Sequence, residues 1–252
     1  MDKLFARNRI KKLILHIVNI AVNSIFVKKC LICNMHLVYY FENYICENCK
    51  NEIKIEIDNT CKICSIQIPK GQDSICGQCL LSHPPYNRHI SFTIYKDKIR
   101  KIILLYKLSE IQPLKHYISS LYLKIIDEYF KGKFDVIISV PVDSGRKRTF
   151  EPVSKISDII SSKTGAKHLK GVLVKVRSTK KQSSLNYNER IKNLNRAFEI
   201  NSKEKIVNKR ILLIDDVYTT GTTVKKCSKL LNKYAESVVV ITLARSANLH
   251  LK

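Results

Sequence analysis

Glycine is scarce in this chain, and its scarcity argues against two common classes of nucleotide-binding protein. Only 7 of the 252 residues are glycine. The chain has no GxxxxGK[ST] sequence, which argues against a P-loop NTPase, and no GxGxxG sequence, which argues against a dinucleotide-binding Rossmann domain. Any phosphate site in this chain must therefore be built from another motif.

Acidic residues are also scarce relative to basic ones. The chain has 45 Lys and Arg against 21 Asp and Glu, which gives a net charge of +24 and a pI near 9.7. Such a balance favours a polyanionic partner: nucleic acid, an anionic membrane surface or a phosphorylated small molecule. With 45% hydrophobic residues the chain can bury a core, which excludes a disordered protein. Its length fits one main domain and a smaller module.

Long uninterrupted apolar runs are missing as well. The stretch from Leu13 to Val27 is too short and too polar for a membrane span, and no Ala-x-Ala cleavage site follows it. Its apolar residues repeat at helical spacing, which predicts an amphipathic helix over residues 1–29. Such a helix either packs on its own protein or binds a membrane surface. Without an export signal, the chain is predicted to be cytoplasmic.

Cysteines, by contrast, are abundant and regularly placed. Eight of the nine form four Cys-x-x-Cys pairs. Cys30 and Cys61 are separated by 31 positions, and Cys46 and Cys76 by 30, so the segment is an internal repeat. In a reducing compartment such pairs indicate metal binding rather than disulfides. Each half of the repeat supplies four thiolates, which is enough for one tetrahedral zinc ion.

These pairs predict a small double zinc-ribbon module over residues 30–82. A sequential assignment gives two four-cysteine sites: Cys30, Cys33, Cys46 and Cys49, then Cys61, Cys64, Cys76 and Cys79. Spacing alone leaves a cross-braced arrangement open. Four even pairs exceed what a redox site needs, and four thiolates leave no open position for catalytic zinc. The zinc ions are therefore predicted to be structural, and Cys227 is predicted to be a packed thiol.

After His83-Pro84-Pro85 the chain alternates strands and helices, which predicts an α/β domain with a mostly parallel sheet over residues 83–252. The predicted strands are Ile90–Tyr95, Val136–Val140, Leu169–Val176, Ile211–Ile214 and Val238–Leu243. The predicted helices are Ile99–Leu108, Leu114–Tyr129 and Phe150–Ser161. Ligands of such sheets bind beyond the carboxyl ends of the strands.

The stretch 211–224 reads ILLIDDVYTTGTTV and has the layout of a phosphate site. An apolar strand leads into Asp215 and Asp216, and a loop of small, hydroxyl-rich residues leads into a helix. Backbone N–H groups at such a helix start favour an anion. Carboxylates repel phosphate but accept hydrogen bonds from the hydroxyl groups of a sugar that carries it. The alternative is a buried strand that ends in a turn and a Thr N-cap.

Two further segments carry polar groups suited to a phosphorylated ligand. Three consecutive cations follow the strand that ends at Pro141, and they either bind a pyrophosphate or form a solvated basic turn: Arg146, Lys147 and Arg148. A long polar stretch with the pattern Arg177-x-Thr179-x-x-Gln182-x-x-Leu185 follows later. It is either a lid over the ligand or a plain surface loop.

The stretch 211–224 resembles the 5-phosphoribosyl 1-pyrophosphate (PRPP) motif of type I phosphoribosyltransferases. Together with the four cysteine pairs, the Val140-Pro141 loop and the Arg177-x-Thr179-x-x-Gln182 pattern, it makes the chain similar to the ComF family. These are phosphoribosyltransferase-like proteins associated with competence for DNA uptake. The resemblance extends from Cys30 to about Arg245. It implies a type I phosphoribosyltransferase-like fold with helices on both faces of the sheet, preceded by the double zinc-ribbon module.

The resemblance also implies roles for individual residues. Asp215 and Asp216 would contact the ribose, and five residues would hold the 5′-phosphate: Thr219, Thr220, Gly221, Thr222 and Thr223. The cations Arg146 to Arg148 would lie in the pyrophosphate loop, and Arg177 and Gln182 in a mobile loop that closes over the ligand. Family members usually read Arg-Gly-Phe/Tyr-Asn-Gln after the basic turn, whereas this chain has RTFEP at residues 148–152. Glu151 is unfavourable near an anionic leaving group unless it points away.

Two functional hypotheses follow. The first is a PRPP-dependent phosphoribosyltransferase that binds PRPP with Mg²⁺ and acts in DNA uptake; its acceptor cannot be read from the sequence. The second is a non-catalytic PRPP-sensing or single-stranded DNA-handling module, with single-stranded DNA and a competence helicase as partners. The net charge and the absence of acidic residues from Lys163 to Lys181 favour the second. Four aromatic residues either stack on bases or form the small core of the zinc-ribbon module: Tyr39, Tyr40, Phe41 and Tyr44.

Overall fold

A computed structural model describes residues 28–37, 44–71, 74–142, 150–176 and 197–247. The predicted N-terminal helix lies almost entirely outside these ranges. The chain forms two compact units, Met1–Ile53 and Lys54–Lys252, and each unit contains one half of the cysteine repeat. The three-part division into residues 1–29, 30–82 and 83–252 remains a prediction. Within the described ranges, no helix is long and apolar enough to cross a membrane.

The first unit contains a cysteine knuckle and a short helix. Lys29 pairs with His36 in an isolated β-bridge around the knuckle, and the backbone N–H of Cys30 donates to Met35 O over 2.8 Å. Helix α1 (Glu47–Asn51) follows Cys46, which is its N-cap. The knuckle turn and the helix start therefore carry the first four cysteines.

The second unit begins with the same arrangement. Thr60 pairs with Gln67, the Cys61 N–H donates to Ile66 O over 2.7 Å, and helix α2 (Gly77–Leu81) follows Cys76. Both bridge residues lie 31 positions after their counterparts in the first unit, which is the period of the cysteine repeat. The internal repeat in sequence is thus a repeat in structure.

The core of the second unit is a five-stranded parallel sheet of order β1-β7-β6-β2-β3. Its strands are β1 (Arg88–Ile94), β2 (Val136–Ser139), β3 (Lys167–His168), β6 (Arg210–Tyr218) and β7 (Ser237–Arg245). The central strands are apolar and buried because helices cover both faces of the sheet. The predicted mostly parallel α/β sheet with helices on both faces is confirmed.

Four helices accompany this sheet: α3 (Asp97–Lys107), α4 (Leu114–Ile125), α5 (Pro152–Thr164) and α6 (Thr222–Leu231). Helix α6 buries Val224, Cys227 and Leu231 in one cluster with Ile211 and Leu213. Cys227 is fully buried there, as a packed thiol. Alternate strand residues face the opposite side, where α4 packs on β1 and β7 and α5 packs on β2, β3 and β6. Helix α4 continues into a π-helical turn (Ile126–Phe130).

The prediction that Leu169–Val176 is one strand of the main sheet is wrong. A turn at Gly171, whose φ is +71°, divides this segment. Strand β3 joins the main sheet before the turn, and β4 (Leu173–Lys175) pairs after it with β5 (Phe198–Ile200) in a separate antiparallel hairpin. A short 3₁₀ turn (Lys203–Lys205) leads from this hairpin towards β6.

Strand β1 lies at the edge of the main sheet, and the chain before it covers the free side. The His89 N–H donates to Ile63 O over 2.8 Å, and Phe92 O accepts from the Glu56 N–H over 2.8 Å. The Ser65 hydroxyl donates to His89 O over 2.6 Å. The second cysteine segment is therefore hydrogen-bonded to the edge strand of the sheet.

Candidate functional site

The acidic pair lies inside β6 rather than after it. The strand runs to Tyr218, four residues beyond its predicted end at Ile214, because β7 pairs with it as far as Tyr218 opposite Arg245. Side chains alternate along a strand, so Asp215 and Asp216 extend towards opposite faces. Each carboxylate also accepts a hydrogen bond from the next backbone N–H, over 2.9 and 2.7 Å. The two side chains are thus held close to the strand at its carboxyl end.

Sequence reasoning missed a cation at this site. Lys107, the last residue of α3, forms an ion pair with Asp216, and their side chains are 33% and 17% exposed. Asp216 raises the pKa of Lys107 above its ordinary value, against the effect of burial. No local pattern marks Lys107, because its partner lies far away in the sequence. Only the packing of α3 beside the sheet brings the two residues together.

Asp215 forms no ion pair with any residue that the structure describes. Burial and the neighbouring Asp216 carboxylate raise the pKa of Asp215 to about 7, although Lys107 opposes this effect. The buried Tyr122 hydroxyl donates to the Asp215 backbone oxygen over 2.5 Å and fixes the strand at this point. The charge of Asp215 therefore depends on pH near neutrality.

The hydroxyl-rich loop follows Tyr218 and turns into α6. Gly221 is the N-cap of the helix and has a φ of +72°, a conformation that favours glycine. The Thr220 and Thr222 hydroxyl groups share a hydrogen bond of 2.7 Å. The first N–H groups of a helix lack acceptors within it, and the helix dipole adds partial positive charge there. This loop and helix start have the groups needed to bind a phosphate.

A second reason for glycine at residue 221 is the side chain of Tyr218. A Cβ atom on Gly221 would lie 2.0 Å from the Tyr218 hydroxyl oxygen. The Tyr218 hydroxyl shares a hydrogen bond of 2.8 Å with Tyr86. Its ring stacks on His89 at 4.2 Å between centroids, and the Arg245 guanidinium lies 4.4 Å from the ring centroid. Tyr218 thus fills the space beneath the loop.

The structure brings the eight paired cysteines together in the sequential grouping. In each group the four sulfur atoms lie within 4.8 Å of one another. Cys33 and Cys46 Sγ are 3.6 Å apart and Cys64 and Cys76 Sγ are 3.8 Å apart. A tetrahedron with zinc–sulfur bonds of about 2.3 Å has edges of about 3.8 Å, so both groups fit zinc.

Backbone N–H groups support thiolates in both clusters. The Cys46 N–H donates to Cys30 Sγ and the Cys76 N–H donates to Cys61 Sγ, each over 3.3 Å. Hydrogen bonds from Cys64 and from backbone N–H groups lower the pKa of Cys61 to about 4, against the effect of burial. A cysteine that is ionised at neutral pH is ready to bind a metal ion. Both clusters can hold zinc.

The other predicted site residues lie outside the described ranges: Arg146, Lys147, Arg148, Arg177 and Gln182. The structure describes the residues that flank these two segments. Strand β2 ends at Ser139, opposite Ile214, just before residues 143–149. The Val176 N–H donates to Ala197 O over 3.0 Å at the two ends of residues 177–196. Glu151 stands where the family pattern has Asn. It is exposed, at the N-cap position of α5.

Comparisons with known proteins agree with this architecture. Residues 107–250 match the model of the phosphoribosyl transferase domain family. Competence protein F of Haemophilus influenzae is 27% identical over 82% of this chain and 99% of its own length. Competence protein ComFC of Streptococcus pneumoniae is 28% identical over 81% of this chain and 84% of its own. The chain belongs to the ComF family of phosphoribosyl transferase domain proteins.

Two further similarities are weaker. DNA utilization protein YhgH of Salmonella typhi is 25% identical to this ComF-family chain, over 84% of this chain and 94% of its own length. Among solved structures, glutamine PRPP amidotransferase of B. subtilis aligns with 51% of this chain and 26% of that chain, at 17% identity and a TM-score of 0.36. The ComF membership that the sequence motifs predict is confirmed.

Proposed function

We propose that this ComF-family chain binds PRPP at the carboxyl end of β6 and acts in DNA uptake. The observation that carries the proposal is the junction of β6 and α6. There, Asp215 and Asp216 precede a threonine loop that Gly221 connects to a helix N-terminus. Donors for a phosphate thus follow acceptors for sugar hydroxyl groups within one short segment.

Each part of the junction has a distinct role in the proposed complex. The N–H groups of the loop and the Thr220 and Thr222 hydroxyl groups bind the 5′-phosphate. Asp216, whose carboxylate is oriented by Lys107, accepts a hydrogen bond from a ribose hydroxyl group. Asp215 accepts another when it is ionised. Mg²⁺ bound to PRPP would neutralise part of the pyrophosphate charge.

We further propose that binding leads to phosphoribosyl transfer. Pyrophosphate would leave C1′ with its bonding electrons, and an acceptor nucleophile would attack the oxocarbenium-like centre. Arg146, Lys147 and Arg148 would stabilise the leaving group, and Arg177 and Gln182 would belong to the segment that excludes water. Glu151 is compatible with this scheme because its exposed side chain can remain in solvent.

The role in DNA uptake is supported by the relatives. Two of them are competence proteins and one is a DNA utilization protein, and each covers more than four fifths of this chain. The net charge of +24 fits a protein that works near a polyanion. Single-stranded DNA and a competence helicase are the partners we propose for this role.

Titration calorimetry of PRPP with Mg²⁺ tests the proposed binding. The Asp215→Asn/Asp216→Asn variant should bind at least about tenfold more weakly than the wild type, because ribose loses two charged acceptors. The matched control is Glu204→Gln/Glu236→Gln, which removes the same charge from two exposed positions. Equal affinity in the wild type and the Asp variant, or no binding in the wild type, refutes the proposal.

The second candidate is a PRPP-sensing or single-stranded DNA-handling module without turnover, which the net charge favours. A measurement of pyrophosphate release from PRPP, with a panel of acceptors, distinguishes the two candidates. A transferase releases pyrophosphate, whereas a binding module does not. Binding of single-stranded DNA should weaken steeply with salt, because each neutralised phosphate releases bound cations. Absence of DNA binding at low salt excludes the DNA-handling version.

A further inference from the structure

We infer that Tyr218 is a positioning residue that connects the phosphate loop to the second cysteine cluster. This cluster consists of Cys61, Cys64, Cys76 and Cys79. A metal ion at the cluster and a 5′-phosphate at the loop should therefore bind cooperatively. The inference rests on the proposed function, because the loop must be a ligand site.

The first step is the contact between Tyr218 and the loop. Among the glycines in the part of the chain that the structure describes, Gly221 alone has heavy atoms within 4 Å of its ideal Cβ position, and all three that are nearest belong to the Tyr218 side chain. The tyrosine ring therefore supports the backbone at the residue where the loop becomes helix α6. A displacement of the ring would move the N–H groups that are proposed to bind the phosphate.

The second step is the fixation of Tyr218 itself. Its side chain is only 2% exposed. Tyr86 bonds to its hydroxyl group, His89 stacks on its ring, and Arg245 places a cation 4.4 Å from the ring centroid. His89 and Arg245 lie on β1 and β7, so two strands of the sheet hold the tyrosine in place.

The third step is the contact of these two residues with the cysteine cluster. His89 Nδ1 lies 3.0 Å from the backbone oxygen of Cys64, and Arg245 Nη1 donates to the same oxygen over 2.7 Å. A carbonyl oxygen can only accept, so His89 Nδ1 carries a proton. His89 Nε2 then accepts from the Thr242 hydroxyl over 2.9 Å. A single carbonyl group of the cysteine knuckle thus orients two of the three residues that hold Tyr218.

These contacts explain how metal binding would act at a distance. With a metal ion on its sulfur atom, Cys64 is fixed, and so is its carbonyl oxygen. Without the ion, the knuckle can move and leave the fully buried His89 without its acceptor, which is costly in the protein interior. The ring of His89 would shift to find another partner, and Tyr218 would lose its stacking contact. By reciprocity, a ligand that fixes the loop strengthens metal binding by the same factor.

Equilibrium zinc competition on the full chain tests the inference. The zinc-loaded protein is titrated with a chromogenic chelator, with and without saturating ribose 5-phosphate, and ribose serves as the control that lacks a phosphate. We expect ribose 5-phosphate to tighten zinc binding at one of the two clusters by at least about fivefold, the lower end of typical coupling. The Cys30→Ser/Cys33→Ser variant, which removes the first cluster, identifies the affected site as the second.

Two variants of Tyr218 separate positioning from general stability. Tyr218→Leu removes the ring and should abolish the tightening, whereas Tyr218→Phe keeps the ring and should retain most of it. Equal tightening in wild type and Tyr218→Leu overturns the inference, as does equal tightening at both clusters. If calorimetry shows that ribose 5-phosphate binds the wild type but zinc affinity does not change, the inference fails and the proposed function stands. If the wild type binds neither ribose 5-phosphate nor PRPP, the proposed function fails and the inference falls with it.

Discussion

Lys107, the last residue of α3, is ion-paired with Asp216 in the middle of the predicted PRPP motif. Two adjacent carboxylates repel each other, and this lysine is the cation that offsets their repulsion within the described residues of the site. The helix is therefore part of the site, although it lies outside every motif recognised in the sequence.

Replacement of Lys107 should weaken ligand binding. In Lys107→Met the Asp216 carboxylate loses the partner that orients it. The pKa of Asp215, which Lys107 lowers, should rise further, so that Asp215 accepts hydrogen bonds from ribose less well. We expect about a five- to tenfold loss of affinity for ribose 5-phosphate by calorimetry, which corresponds to roughly 1 to 1.4 kcal/mol. Arg100→Met is the control, because it removes one cation from an exposed position of the same helix. An equal loss in both variants would indicate an effect of net charge alone.

The raised pKa of Asp215 implies that the stability of the folded chain depends on pH. Its pKa is about 7 in the folded chain and about 4 in an unfolded one. Between these values the folded state binds a proton that the unfolded state lacks, so the free energy of unfolding falls as pH rises from about 4 to about 7. Asp215→Asn should therefore be more stable than wild type at pH 8, by about 1 to 2 kcal/mol after allowance for solvent screening, and the advantage should vanish near pH 4.

Denaturant unfolding at pH 4, 6 and 8 measures this dependence. The affinity of the wild type for ribose 5-phosphate should also rise between pH 6 and 8, since the ionised carboxylate accepts hydrogen bonds better. The phosphate of the ligand also titrates near pH 6. In the Asp215→Asn variant, any change of affinity with pH comes from the phosphate, so this variant is the control. A stability advantage that is the same at pH 4 and pH 8 would contradict the assigned pKa.

Gly221→Ala should damage the loop more than a glycine substitution does elsewhere. Alanine at a φ of +72° is strained, and its Cβ would collide with the Tyr218 side chain. We expect a loss of stability of about 2 kcal/mol or more and loss of ribose 5-phosphate binding. Gly165→Ala is a matched control with a φ of +77° and open space around its Cβ, and it should cost about 1 kcal/mol without an effect on binding. Thermal unfolding and calorimetry report the two quantities.

Metal content should follow the two cysteine clusters. We expect about two zinc ions per chain in the wild type and about one in Cys46→Ser, because one cluster then has three thiolates. Cys227→Ala should retain both ions, since Cys227 is buried in the sheet core and belongs to neither cluster. Atomic absorption on purified protein gives the counts. Unchanged zinc in Cys46→Ser would contradict the grouping.

The sequence predicted those elements whose local hydrophobic pattern matches the way they are buried in the fold. The run Ile211–Ile214 is a central strand because its apolar residues need cover on both faces, and the chain after Gly221 forms a helix. The pairing of the segment Leu169–Val176 could not be predicted, because a short apolar run does not reveal which strand it will pair with. Strand β3 of the main sheet ends just before this segment, and after the turn at Gly171 the chain forms β4, which belongs to the separate hairpin.

The candidate site, too, could be predicted only where its residues are close together in the sequence. Contiguous motifs mark Asp215, Asp216 and the threonine loop, because one strand, one loop and one helix carry them. Lys107 lies outside these motifs. Tyr218 lies inside one, but its role depends, like that of Lys107, on contacts with residues that are distant in the sequence. Periodicity and spacing carry no information about such contacts.

The cover on the free side of β1 bears on how the protein can be shortened. A chain that starts at His83 would keep all five strands of the main sheet but lose the backbone partners of His89 and Phe92. An uncovered edge strand with apolar neighbours is a template for pairing with other molecules. Such a fragment should aggregate, whereas one that starts at Lys54 should remain monodisperse. The second cysteine segment therefore protects the sheet against intermolecular strand addition, whatever it binds.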